Sequence, residues 1–148
     1  LKNDTKIRLV KHVSFLNKEL EDYKKFNFLS WGEYSDDRDK RRNVERWIEN
    51  IVTSSIDIAR IILAFEGKSL PDTYKELLMS LSLIPGFKKE NTDILSKWVR
   101  FRNIIVHEYL DIKWNAIKKF IQETEADYRE FLKSVKIYLS EKLEAEEE

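Results

Sequence analysis

One short stretch holds the side chains best suited to proton and phosphate chemistry. Arg102 and His107 lie in Trp98-Val-Arg-Phe-Arg-Asn-Ile-Ile-Val-His-Glu-Tyr-Leu-Asp111, where an apolar helical pattern reaches its end. An imidazole, with a reference pKa of about 6.5, gives or takes a proton at neutral pH. An arginine stays charged, binds phosphate and stabilises extra negative charge on its equatorial oxygens. These groups suit phosphoryl transfer in RNA. There the ribose 2′-OH attacks the adjacent phosphorus in line, a base takes the hydroxyl proton, and an acid protonates the departing 5′ oxygen. Asn103 shares a helix face with His107 (i, i+4) and could fix its ring tautomer, while Arg102 shares a face with Tyr109 (i, i+7). Arg102 and His107 stand about 140° apart on an ideal helix. They converge if the helix ends near His107, or if a second subunit brings its own copy across a two-fold axis. One histidine supplies one acid/base group and a dimer supplies two, which is a chemical reason for a composite site. On spacing alone, a capping histidine and a salt-bridged arginine fit the same residues.

The rest of the chain offers less. His12, the other of the two histidines, has no acidic partner at helical spacing and reads as a surface or bundle-edge residue. Arg38, Lys40, Arg41, Arg42 and Arg46 form the densest basic run, but Asp36, Asp37, Asp39 and Glu45 are interleaved with it, as on a solvated helix start. Lys97 and Arg100 precede the motif by one or two turns and are candidate RNA contacts. Phe28, Trp31 and Tyr34 could stack on bases, but read first as satellite core. Trp47, Trp98 and Trp114 read as core or dimer contacts. There is no Gly-rich phosphate loop and no ligand spacing for a metal, so neither a cofactor nor a metal is expected.

The elements that must position this stretch are helical. Only 3 Gly and 2 Pro occur in 148 residues, too few turn formers for a sandwich or barrel. Leu9, Val13, Leu16, Leu20 and Tyr23 mark a helix from about Asp4 to Lys25. Val44, Ile48, Ile51, Ser55, Ile58, Ile62 and Phe65 mark a second from Asp39 to Glu66, with Gly67 as its C-cap. Thr53, Ser54 and Ser55 thin its middle, which suits close approach by another helix. A third helix opens at Pro71 and runs to Ile84. A fourth spans Asn91 to Glu108, capped by Asn91 or Thr92. A fifth spans Trp114 to about Leu143, with Ile117, Ile121, Thr124, Tyr128, Phe131, Val135 and Tyr138 at heptad-like spacing. Loops are expected around Ser30–Asp37, Gly67–Pro71, Pro85–Gly86 and Asp111. The reading is all-α: an up-down bundle of about five helices in a single domain over 1–148, with an acidic tail fraying over 141–148.

Composition bounds the rest. Hydrophobic residues at 42% are too many for disorder, and with no cysteine, disulfides and thiolate metal sites are excluded. No apolar run approaches the roughly 20 residues that span a bilayer, so a cytoplasmic protein without membrane contact is expected. Lys plus Arg and Asp plus Glu number 27 each, so any anion-binding surface must be local.

Arg102-Asn-Ile-Ile-Val-His107-Glu-Tyr109 resembles the Arg-x4-His-x-Tyr motif of the HEPN superfamily, and more narrowly the HepT-like toxins paired with minimal nucleotidyltransferase antitoxins. Val44-Glu45-Arg46, Ile56-Asp57-Ile58-Ala59, Gly67, Pro71, Tyr74, Glu76 and Leu110-Asp111-Ile112 extend the resemblance over about Asp36 to Ile112. It implies a five-helix bundle that dimerises with the motif helices facing across a cleft. It implies a metal-independent endoribonuclease toxin of a type VII-like toxin–antitoxin pair. Arg102 and His107 would be catalytic, with Asn103 in support. Tyr109 would be the residue that the partner enzyme adenylylates, placing a bulky anion beside Arg102. The alternative is a non-catalytic nucleotide- or partner-binding module associated with a nucleotidyltransferase.

Overall fold

A computed structural model describes residues 2–144, and among these every regular element is helical. The long helix α4 (Arg38–Phe65) is the central rod. Its buried residues, among them Val44, Ile48, Ile51, Val52, Ile58, Ala59 and Ile62, leave few exposed positions in its second half, because neighbours cover it on several sides. Asp37 starts it, its Oδ1 accepting from the amides of Asp39 and Lys40 at 3.0 and 3.1 Å. Gly67 ends it at φ +70°, where the Gly67 and Lys68 amides bond back to Ala64 and Leu63. That pairing is a Schellman motif, and a left-handed residue is what it requires.

Five rods pack around the core as expected, but several are built from two pieces. Helix α1 (Lys2–Leu20) buries Leu9, Leu16 and Leu20 against α4. The chain then turns at Glu21–Asp22 before α2 (Tyr23–Phe26), so the helix expected to reach Lys25 is interrupted. The turn swings Tyr23 inward, where its hydroxyl meets Thr124 Oγ1 at 2.6 Å and its ring packs edge-on against Trp47. Helix α5 (Tyr74–Ser80) is the third rod. Thr73 caps it, accepting from the Glu76 amide, so Pro71 lies in the approach and not in the first turn.

The fourth rod is α6 (Lys89–Lys97) followed by α7 (Val99–His107), broken at Trp98. It begins two residues before the expected start. Asn91 and Thr92 therefore sit inside it, not at its cap. Asn91 Nδ2 instead donates to the Asp127 carbonyl across the bundle at 2.9 Å. The fifth rod is α8 (Trp114–Glu123) followed by α9 (Glu125–Tyr138), and Thr124 marks the joint. Thr124 Oγ1 bonds back to the Phe120 carbonyl at 2.6 Å, a local competitor of the helical ladder. The whole heptad-like stripe from Ile117 to Tyr138 is nevertheless buried.

Ser30–Asp37, expected as loop, contains a further helix, α3 (Trp31–Asp36). A capping box makes it. Ser30 Oγ accepts from the Glu33 amide at 3.1 Å, and Glu33 Oε1 accepts from the Ser30 amide at 3.2 Å. Tyr34 is core, but Trp31 is 58% and Phe28 85% exposed, so the satellite-core reading fails for those two. Trp47 is buried, and Trp98 and Trp114 pack partly buried against the core. At the C-terminal end, Leu139–Leu143 form a π-helical turn that buries Leu143. The remainder of the tail expected to fray, 145–148, lies outside the described residues. No helix among the described residues is long and apolar enough to cross a membrane.

Candidate active site

The motif lies on α7, which packs against α4 and α5. Val99, Phe101 and Ile105 are its buried face and hold it there. Arg102 is half-buried beside that face, and three groups fix it. Its Nε donates to Thr53 Oγ1 of α4 at 3.1 Å. Its Nη1 donates to Asn103 Oδ1 at 3.0 Å. Its guanidinium carbon lies 5.4 Å from the ring centre of Tyr74 on α5. Arg60 of α4 meets the same ring at 5.6 Å and donates to Asp57 Oδ1 at 3.1 Å. Two guanidiniums thus share one aromatic ring, a favourable arrangement when a carboxylate balances one of them.

His107 is the last residue of α7 and is exposed. The Glu108 amide closes the final helical bond on Ile104 at 2.8 Å, after which Glu108 leaves helical geometry at φ −128°, ψ 47°. Tyr109–Asp111 then form a 3₁₀ turn. The helix therefore ends before Tyr109, and the shared face inferred for Arg102 and Tyr109 does not exist. Tyr109 is 71% exposed and turns toward α3 and α4. Among the described residues, no hydrogen bond joins His107 to Arg102 or to Asn103. The Asn103 oxygen is engaged by Arg102 instead.

Tyr109 lines a cavity of about 800 Å³ with Trp31, Tyr34, Arg41, Arg42 and Trp114. Lys97 and Arg100, both exposed, line a different cavity of about 530 Å³ between α7 and α8. Arg100 is about 200° around the helix from Arg102, so these two arginines face opposite ways.

His12 is not isolated in the folded chain. It is half-buried on a cavity of about 410 Å³ with Asn50, Thr53, Ser54 and Asp57. Burial pushes its pKa below the ordinary value, Asp57 opposes that shift, and Arg8 adds to it. The acidic partner absent at helical spacing comes from α4. Thr53 links this cavity to Arg102, and neither it nor Arg60 stands out in the sequence as part of a site. The small residues Thr53, Ser54 and Ser55 mark a close approach there, but not which group meets the threonine hydroxyl. No group of three or more His, Asp and Glu suited to a metal ion occurs among the described residues.

Comparison with known families and structures gives a consistent result. Residues 16–135 match the family model described as HepT-like, ribonuclease HepT-like. The chain is similar in structure to the tri-AMPylated Shewanella oneidensis HEPN toxin solved in complex with its MNT antitoxin, with a TM-score of 0.76 and 18% identity over 87% of this chain and 96% of that one. A toxin–antitoxin solved with AMP-PNP gives a TM-score of 0.77 and 17% identity over 87% of this chain and 97% of that one. The Bacillus subtilis cytosolic protein YutE, of unknown function, gives 0.80 and 16% over 95% and 94%. Comparison with curated protein sequences gives no match.

Proposed function

Because this chain belongs to the HepT-like ribonuclease family, we propose that it is a metal-independent endoribonuclease toxin, active as a homodimer. The observation that carries this reading is the setting of Arg102. Thr53, Asn103 and Tyr74 hold its guanidinium half-buried on the helix whose end presents His107 to solvent. A pure packing role needs neither a pre-positioned guanidinium nor an exposed imidazole one turn further on.

In this mechanism Arg102 binds the scissile phosphate. One neutral imidazole takes the proton from the ribose 2′-OH, and the 2′ oxygen forms its bond to phosphorus as the bond to the 5′ oxygen breaks. A protonated imidazole gives its proton to that leaving oxygen. The products are a 2′,3′-cyclic phosphate and a 5′-hydroxyl. The two His107 side chains of a dimer supply the base and the acid. Asn103 is a positioning residue, through its bond to Arg102. Lys97 and Arg100, on the side of α6 and α7 away from Arg102, have a role only for RNA that reaches that second face.

A minimal nucleotidyltransferase is the partner that silences the toxin, by transferring AMP to Tyr109. The HEPN toxin of similar structure is AMPylated in complex with its MNT antitoxin. Tyr109 has the exposure that such a transfer needs. The adenylyl group adds a bulky anion two residues from His107 and obstructs an incoming phosphate.

The test is incubation of the pure protein with total RNA in EDTA, beside His107→Ala and Arg102→Ala. Intact mass first establishes that Tyr109 is unmodified. Cleavage leaving 2′,3′-cyclic phosphates, lost in both variants at unchanged helix content, is the expected result. Absence of cleavage by the unmodified protein overturns it in favour of a nucleotide- or partner-binding module. Wild-type cleavage by either variant overturns the site assignment.

A further inference from the structure

The basic run at the start of α4 separates in the folded chain into residues that are already paired and residues that are not. Lys40 pairs with Glu33, and Arg46 pairs with Glu49. The side chains of Arg41 and Arg42 make no hydrogen bond or ion pair among the described residues, and both face the cavity of about 800 Å³ that Tyr109 lines. Trp31, Tyr34 and Trp114 give the same cavity an aromatic wall. Trp114 stacks at a tilt between Tyr34, 5.2 Å away, and Trp31, 6.3 Å away, and Trp31 leaves 58% of its surface to solvent. The acidic side chain that lines the cavity, Glu45, lies on α4 one turn after Arg41 and accepts from the Tyr34 hydroxyl at 2.5 Å. Arg41, Arg42 and Lys113 therefore leave the cavity net positive.

Unpaired guanidiniums beside an open indole suit a ligand that carries a flat ring and an anion together. Stacking on the aromatic wall accommodates any base, and the arginines hold the backbone. The volume lies within the range of ligand pockets. Tyr109, which lines the cavity, follows His107 by two residues in the chain.

We propose that the Trp31–Trp114–Arg41–Arg42 cavity is a single-stranded RNA subsite, taking one nucleotide of the substrate next to the cleaved bond with its base on Trp31 and its phosphate on Arg41 and Arg42. The subsite rests on the ribonuclease reading for its place along the substrate. Its RNA affinity can be measured without cleavage.

The experiment uses full-length protein carrying His107→Ala, with Tyr109 shown unmodified by mass, and a fluorescently labelled single-stranded oligoribonucleotide followed by anisotropy. Trp31→Ala weakens binding roughly 5- to 160-fold, the range of base–aromatic stacking. Trp31→Phe restores most of it. Arg41→Ala/Arg42→Ala weakens binding too, and lowers the slope of log affinity against log salt by about 0.7 for each phosphate no longer neutralised. Arg46→Ala, on the same helix but paired with Glu49, has a much smaller effect. Equal affinity for all variants, or no RNA binding at all, overturns the subsite. Dimer dissociation by Trp31→Ala without loss of RNA affinity overturns it in favour of a seat for a second copy. The nuclease reading is tested separately with His107 restored. Protein that binds RNA through Trp31 but never cuts it keeps the subsite and loses the nuclease. Protein that cuts with KM unchanged by Trp31→Ala does the reverse.

Discussion

Thr53 is the residue through which the core of the bundle reaches the candidate site, and Thr53→Val isolates that role. Valine keeps the β-branched shape in the middle of α4 and removes only the hydroxyl that accepts from Arg102 Nε at 3.1 Å. A hydrogen bond to a charged donor contributes about 1.5–3 kcal/mol. Thr53 and Arg102 are both half-buried, so water takes over part of the lost bond and a cost of about 1 kcal/mol remains. Two restraints survive, the Asn103 oxygen at 3.0 Å and the Tyr74 ring at 5.4 Å. The guanidinium is therefore loosened, not released. If the whole loss falls on transition-state positioning, the catalytic rate drops about fivefold, since about 1.36 kcal/mol is a tenfold change. The assay is kcat and KM on an oligoribonucleotide, with thermal denaturation alongside. The expected pattern is a fall in kcat exceeding the rise in KM, a small drop in Tm, and recovery of kcat by Thr53→Ser. A merely structural threonine would lower Tm and leave kcat unchanged in the folded fraction. Unchanged kcat in Thr53→Val, with Arg102→Ala inactive, refutes the claim that this hydroxyl positions the arginine.

Two further predictions concern stability. The Tyr128 hydroxyl is fully buried with no hydrogen-bond partner among the described residues, whereas the Tyr23 hydroxyl meets Thr124 at 2.6 Å. Tyr128→Phe is therefore neutral or stabilising by up to about 1 kcal/mol, while Tyr23→Phe costs about 1 kcal/mol. Denaturant midpoints that rank the two the other way contradict this account of the core. A fourth prediction concerns pH. Burial holds the folded His12 below its unfolded value of about 6.5, so the unfolded chain binds more protons as acidity rises. Its contribution is fully present above the unfolded value and is lost as pH falls through the folded one. Burial pushes the carboxyls of Glu19 and Asp127 upward, which acts in the opposite sense nearer their own range. The readout is therefore the difference between wild type and His12→Gln. Wild type loses more stability between about pH 7 and pH 5, and parallel profiles sink the assignment.

Much of this architecture is written locally. Apolar residues at 4-3-4-3 spacing place α1, α4 and the Ile117–Tyr138 stripe, because a helix buries a stripe whatever neighbour covers it. Gly67 ends α4 because the left-handed position there is cheap only for glycine. Ser30 and Glu33 encode α3 as a capping box. That signal is present in the sequence, but the surrounding Gly32 and Ser35 mask it. The breaks at Glu21–Asp22, Trp98 and Thr124 are not written locally, since periodicity continues through each of them. The turn at Glu21–Asp22 and the joint at Thr124 are tied to each other by a contact from afar, in addition to the local bond from the Thr124 hydroxyl to Phe120. Tyr23 and Thr124 meet across 101 positions of sequence.

The same division holds at the site. Arg102, Asn103, His107 and Tyr109 can be named from one stretch, because residue type and order along a helix end suffice to suggest phosphate chemistry. Which of them touch cannot be read that way. The helix stops at His107, so Tyr109 turns to a different surface, and Asn103 bonds to Arg102. Thr53 and Tyr74, which hold the arginine, lie 49 and 28 positions earlier in the chain. The Lys40–Glu33 pair likewise depends on how α3 docks beside α4, whereas the Arg46–Glu49 pair is an i,i+3 contact within α4. Sequence determined the helices and the chemical inventory of this protein, because both follow from local pattern. The tertiary structure alone decided which charges are held, which are free and which cavity they face, because those depend on contacts between residues far apart in the chain.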